Sequence, residues 1–178
     1  MATPDWKPVI DSLVNKKADL ALLHDECGKK EITITPILFD KLGWRTYEKK
    51  IFKGLFGQQN FGSDHIVKLL GINFVVEVKK VTEGKEYGFW HSVIQGLLYQ
   101  VASELEGEEK LPVLCIILDW GRAANRPLDE YEQAFLNKFR NENIFCVRFK
   151  LTGTFIIEHN LLADKWDKIL TKQIGRPE

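Results

Sequence analysis

Long hydrophobic runs are missing from this sequence. Its longest apolar stretches, such as residues 113–118, fall far short of the roughly 18 residues needed to cross a bilayer. No basic-then-apolar leader opens the chain, so the expectation is a cytoplasmic protein with no membrane partner. An excess of charge of one sign is also missing, because 25 Lys and Arg balance 25 Asp and Glu. That counts against a surface wholly given to nucleic acid, which favours a positive field, but leaves room for a local basic track. Clustered carboxylates would also be partly neutralised by any ion they hold.

Cysteine is scarce and odd in number. The three residues Cys27, Cys115 and Cys146 lack metal-ligand spacing. The latter two sit in the apolar runs VLCIIL and IFCVRF and read as buried, inert thiols. Internal repeats and low-complexity tracts are absent, and 44% hydrophobic with 28% charged residues describes an ordinary globular chain. At 178 residues the chain fits one domain and needs no disulfide staples. Within it, residues 1–30 are expected as an N-terminal helical extension, 31–150 as the core, and 151–178 as a closing strand and helix.

Periodicity supplies the elements. Val9, Leu13, Leu20 and Leu23 recur at helical spacing over residues 8–24, with Pro8 suited to a first turn. A second helix is expected over 31–42, with Pro36 as a candidate for its first turn and Gly43 as its stop. Residues 44–52 alternate like a half-buried strand, and 53–63 form a Gly, Gln and Asn-rich loop. Strands at 64–70 and 73–81 join through a tight turn at Gly71. A helix over 89–105, a buried strand over 111–120, a helix over 128–142, strands over 144–151 and 154–159, and a helix over 161–170 complete the chain. This order predicts an α/β (α+β) fold, a mixed central β-sheet flanked by helices.

The chemistry concentrates in NFVVEVKKV, residues 73–81. Side chains alternate along a strand, so Val75, Glu77 and Lys79 share one face and Phe74, Val76 and Val78 the other. A carboxylate and an ammonium thus project together from an apolar strand, where charge costs several kcal/mol unless paired or ion-bound. With a turn at Gly71, Asp64 at the start of the preceding strand is expected opposite Val78, at the level of Glu77 and Lys79. Two carboxylates, Asp64 and Glu77, with the Val78 carbonyl offer the hard oxygen ligands that Mg²⁺ or Mn²⁺ takes. Lys79 beside them can orient or deprotonate a water, or neutralise charge on a phosphodiester under attack.

The pattern S-D-H at 63–65, then V-E-V-K at 76–79, resembles the D…(D/E)-x-K signature of the PD-(D/E)XK nuclease superfamily, with Ser63 standing before the aspartate where Pro is named. Gln95-Gly-Leu-Leu-Tyr99 on the following helix resembles the Q-x-x-x-Y motif of its RecB-like branches, its ends spaced i, i+4 on one face. The resemblance implies a restriction-endonuclease-like fold and metal-dependent hydrolysis of DNA. It makes Asp64 and Glu77 metal ligands, Lys79 the catalytic lysine, and Gln95 and Tyr99 supports for the lysine or the substrate phosphate. Many members also carry a Glu on the first core helix, and Glu31 is the candidate by position. With no separate DNA-reading domain in 178 residues, specificity would fall to a homodimer or a larger restriction, repair or phage-related assembly. Two alternatives stay open: a catalytically silent module that binds nucleic acid or another partner, and an unrelated α/β protein whose Glu77–Lys79 is a plain ion pair.

Other candidates are weaker. His65 and His91 lack zinc-pair spacing, although His91 shares the face of Gln95. His24, Asp25, Glu26 and Cys27 bunch together without a second ligand cluster. Arg45, Lys49, Lys50 and Lys53, interleaved with Tyr47 and Phe52, read equally as a phosphate track or as lysines guarding a strand edge. Arg122 and Arg126 follow a buried strand and suit either a phosphate contact or a loop.

Overall fold

The computed structural model describes residues 6–47, 51–52, 61–62, 65–69, 71–82, 88–105, 107, 111–121, 143–152 and 156–159. The expected helices at 128–142 and 161–170, together with Asp64, Arg122 and Arg126, lie outside the described residues.

The N-terminal stretch expected as one helix is three short pieces: α1 (Lys7–Asn15), α2 (Lys17–Ala21) and a 3-10 turn (Leu22–Glu26). The break falls at Lys16, whose φ of −101° and ψ of 12° leave the helical region. Its amide donates to Leu13 O, closing α1 with a tight turn. The redirected chain brings Leu20 and Leu23 to the same core as Val9, Ile10 and Leu13. Helix α3 (Glu31–Leu42) stops at Gly43, which takes the left-handed φ of 68°. Pro36 sits inside α3 rather than in its first turn. Its missing amide leaves the carbonyl of Ile32 without the usual helical donor. Ile32 is 77% exposed, so water can reach that end of the helix.

Six strands form one mixed sheet in the order β1-β4-β5-β6-β7-β8. They are β1 (Thr46–Tyr47), β4 (His65–Leu69), β5 (Ile72–Val81), β6 (Val113–Asp119), β7 (Ile144–Lys150) and β8 (Ile156–His159). β4 runs antiparallel to β5, β5 to β7 run parallel, and β8 is antiparallel again. Residues 44–52 do not make one strand. Thr46–Tyr47 pairs with β4, while β2 (Ile51–Phe52) pairs with β3 (Phe61–Gly62) in a separate ladder. The end of the expected 53–63 loop is therefore strand.

Strand alternation divides the core in two. Phe74, Val76 and Val78, Leu114, Ile116 and Leu118, and Phe145, Val147 and Phe149 face the N-terminal helices. Val75 and Val81, Val113, Cys115 and Ile117, and Ile144 and Cys146 face α4 (Gly88–Leu105) with Tyr99 and Ala102. β6 and β7 are buried along their whole length, as strands covered on both faces must be. The Cys146 thiol is pushed well above its ordinary range, first by burial and then by neighbouring Cys115, with Arg148 acting the other way. The folded thiol holds its proton more tightly than the unfolded one. Its contribution to stability is intact below the ordinary thiol range and is lost progressively as pH rises from that range toward the raised folded value. No helix among the described residues is long and apolar enough to cross a membrane.

Gly96 sets how closely α4 approaches the sheet. A Cβ there would meet Val113 Cγ1 at 3.0 Å and Cys115 Sγ at 3.4 Å. Gly96→Val is expected to lower stability by about 1–3 kcal/mol through overpacking, read as a lower urea midpoint at unchanged slope.

Candidate active site

Period-two alternation turns Glu77 and Lys79 to the α4 face of β5, as the sequence implies. Glu77 is completely buried. Its Oε1 stands 2.6 Å from Lys79 Nζ, and its Oε2 accepts a hydrogen bond from Tyr99 OH at 2.9 Å. The carboxylate is thus fixed from both sides, by its own strand and by the helix packed above it. Burying it is tolerable because each oxygen faces a donor.

Glu31, the first residue of α3, closes the cluster. Its Oε1 lies 3.4 Å from Lys79 Nζ, and its Oε2 accepts the backbone amide of Lys80 at 2.8 Å. One ammonium therefore bridges two carboxylates contributed by different elements. Glu31 is partly exposed, so the cluster runs from a dry inner end at Glu77 to a solvent-facing outer end.

Strand hydrogen bonding orients the carbonyls. Val75 N donates to Pro112 O on the β6 side, and Trp120 N donates to Val81 O. Odd residues of β5 therefore bond to β6, and the carbonyls of Val76 and Val78 point toward β4. The β4–β5 ladder runs from Leu69 opposite Ile72 to His65 opposite Val76. The expected register, which set Asp64 opposite Val78, is off by one residue. The connection at Gly71 (φ 83°) has two residues where the expected register needs three. Asp64, the residue before His65, is outside the described residues.

Gln95 lies one helical turn before Tyr99, and its buried Oε1 accepts no hydrogen bond from the described residues. His91, a turn earlier still, is exposed. His65 packs its ring edge-on to Phe39, with centroids 4.8 Å apart, which is a core contact. Among the described residues no group of three or more His, Cys, Asp or Glu is arranged to hold a metal ion. Glu31 and Glu77, which meet at Lys79, offer hard oxygens of the kind Mg²⁺ and Mn²⁺ prefer.

Two features escaped the sequence reading. Asp119 and Arg148 form a buried pair on the same sheet face, Nε to Oδ2 2.8 Å. Lys80 ties down the connector before α3, its ammonium donating to the carbonyls of Cys27 and Lys29. Each of these is a charge within or ending an otherwise apolar strand, the signal that also marks Glu77. Comparison of the chain with protein-family models, with curated proteins and with solved structures returns no match.

Proposed function

We propose that the protein is a metal-dependent nuclease of restriction-endonuclease-like fold that hydrolyses DNA phosphodiester bonds. One observation carries the reading: Lys79 bridges Glu77 and Glu31 where the antiparallel and parallel halves of the sheet meet, with Tyr99 locking Glu77 from above. Glu77, Glu31, the Val78 carbonyl and Asp64 would hold Mg²⁺ or Mn²⁺. When bound, the ion supplies charge stabilisation at the scissile phosphate and lowers the pKa of a coordinated water.

The chain's own groups do the rest. Lys79, held as an ammonium by Glu77 and Glu31, orients the attacking water and offsets the negative charge that grows on the phosphate. Tyr99 keeps the Glu77 carboxylate in one orientation. Gln95, with a buried amide oxygen unused among the described residues, holds a water or a substrate phosphate through its amide. A homodimer or larger assembly supplies whatever sequence specificity the substrate needs.

The test is cleavage of plasmid and labelled oligonucleotide with Mg²⁺, Mn²⁺ or EDTA, comparing wild type with Glu31→Gln and Lys79→Met. Cutting that needs metal, vanishes with EDTA and falls on the order of 10²-fold or more in both variants supports the enzyme. Equal cutting by the folded variants excludes this site. The second reading, a silent module that binds nucleic acid, draws on the same geometry, since both Glu77 oxygens already face donors. DNA binding without cutting in any metal would favour it.

A further inference from the structure

Lys80 sits one residue past the proposed catalytic lysine and points to the opposite face of β5, toward the N-terminal helices. Its ammonium donates to the main-chain carbonyls of Cys27 and of Lys29, the latter at 2.9 Å. It also stands 5.5 Å from the centroid of the Trp120 ring, within cation–π range. Trp120 in turn donates its indole N–H to His24 O at 3.1 Å, and its amide to Val81 O at 2.8 Å. His24 Nδ1 lies 2.5 Å from Leu151 O. The connector from His24 to Lys30 is therefore tied at the carboxyl ends of β5, β6 and β7.

That connector ends at Glu31. The first residue of a helix has no preceding turn to hold it, so its placement follows the chain that leads into it. Glu31 reaches Lys79 across 48 positions of sequence, and its second oxygen takes the amide of Lys80 itself. Lys80 thus grips Glu31 twice, through its own N–H and through the loop that delivers the helix.

We propose that Lys80 is a positioning residue: its ammonium, stacked on Trp120, clamps the His24–Lys30 connector so that the Glu31 carboxylate stands at Lys79. The proposal rests on the nuclease reading for its consequence, and on the hydrogen bonds alone for its geometry. An ion held partly by Glu31 would then depend on Lys80 as it depends on an outer-shell partner, although Lys80 touches neither ion nor substrate.

The experiment compares wild type, Lys80→Met, Lys80→Arg and Glu31→Ala by two readouts. The first is hydrogen exchange at the residue 80 amide, which the Glu31 carboxylate protects. The second is the Mn²⁺ concentration for half-maximal cleavage. Lys80→Met keeps the stem and the backbone amide but removes the ammonium. It is expected to speed exchange at residue 80 toward the Glu31→Ala level while β6 amides stay slow. It is also expected to raise the Mn²⁺ midpoint about tenfold, with the rate at saturating Mn²⁺ kept. Lys80→Arg, which can still donate to carbonyls and stack on Trp120, is expected to restore both. A Lys80→Met protein with the exchange and midpoint of wild type overturns the proposal. So does one that loosens only at residues 27–30, or uniformly through β6. If wild type cuts nothing, the nuclease reading fails and the residue 80 exchange decides the clamp by the same criteria.

Discussion

Lys79→Met is expected to destabilise the fold by about 3–5 kcal/mol, and Glu77→Gln/Lys79→Met by clearly less than that single change. Lys79 stands 2.6 Å from a carboxylate with no exposure, and is itself only 15% exposed at the side chain. Removing the ammonium takes the cation at 2.6 Å from a fully buried carboxylate whose other oxygen Tyr99 OH still holds. A buried charge stripped of its partner carries the full cost of desolvation, whereas neutralising both members removes the problem. Glutamine at 77 keeps an oxygen for Tyr99 and brings no charge. The double-mutant cycle should therefore show strong coupling, read from urea unfolding of the four proteins. Additive costs would mean that the pair is solvated in solution and that Glu77 is held by other contacts. On the nuclease reading proposed above, cleavage is absent from all three variants, so the double variant separates lost chemistry from lost folding.

What the sequence discloses of this site depends on distance along the chain. Glu77 beside Lys79, and Gln95 beneath Tyr99, are read from the two local periods of strand and helix, which need no tertiary knowledge. Tyr99 to Glu77 spans 22 positions and is reached only because α4 lies on the odd face of β5. Glu31 could be named by position but not placed, because its contact depends on how three strand ends hold the connector ahead of it. The hairpin register slipped by one residue because sequence does not distinguish a two-residue turn at Gly71 from a three-residue one. The strand at 44–52 reads as a single element by alternation, yet its two ends pair with different partners. Alternation reports a pleat but not which neighbour supplies the hydrogen bonds.

The Asp119–Arg148 pair shows the same limit, and it is open to test. Parallel strands are joined by long crossovers, so their register is set by packing and not by a turn. Nothing local in CIILD or IFCVRFK says that Arg148 will meet Asp119. In the structure both side chains are nearly inaccessible, Nε lies 2.8 Å from Oδ2, and Asp119 Oδ1 accepts the amide of Gly121 at 2.8 Å. The pair thereby fixes the turn that leaves β6, and Leu151 N bonds to the Asp119 carbonyl from the β7 side. Arg148→Met is expected to cost about 3–5 kcal/mol, because it leaves a buried carboxylate with one neutral donor. Asp119→Asn/Arg148→Met should recover part of that loss, the amide oxygen still accepting from Gly121. Chemical unfolding gives the stabilities, and, on the nuclease reading, cleavage per folded molecule gives the role. If the pair only braces the strand ends, folded Arg148→Met protein cuts at the wild-type rate once its unfolded fraction is subtracted. A folded variant that no longer cuts would place Arg148 among the groups that meet the substrate phosphate, and would extend the site from β5 across to β7.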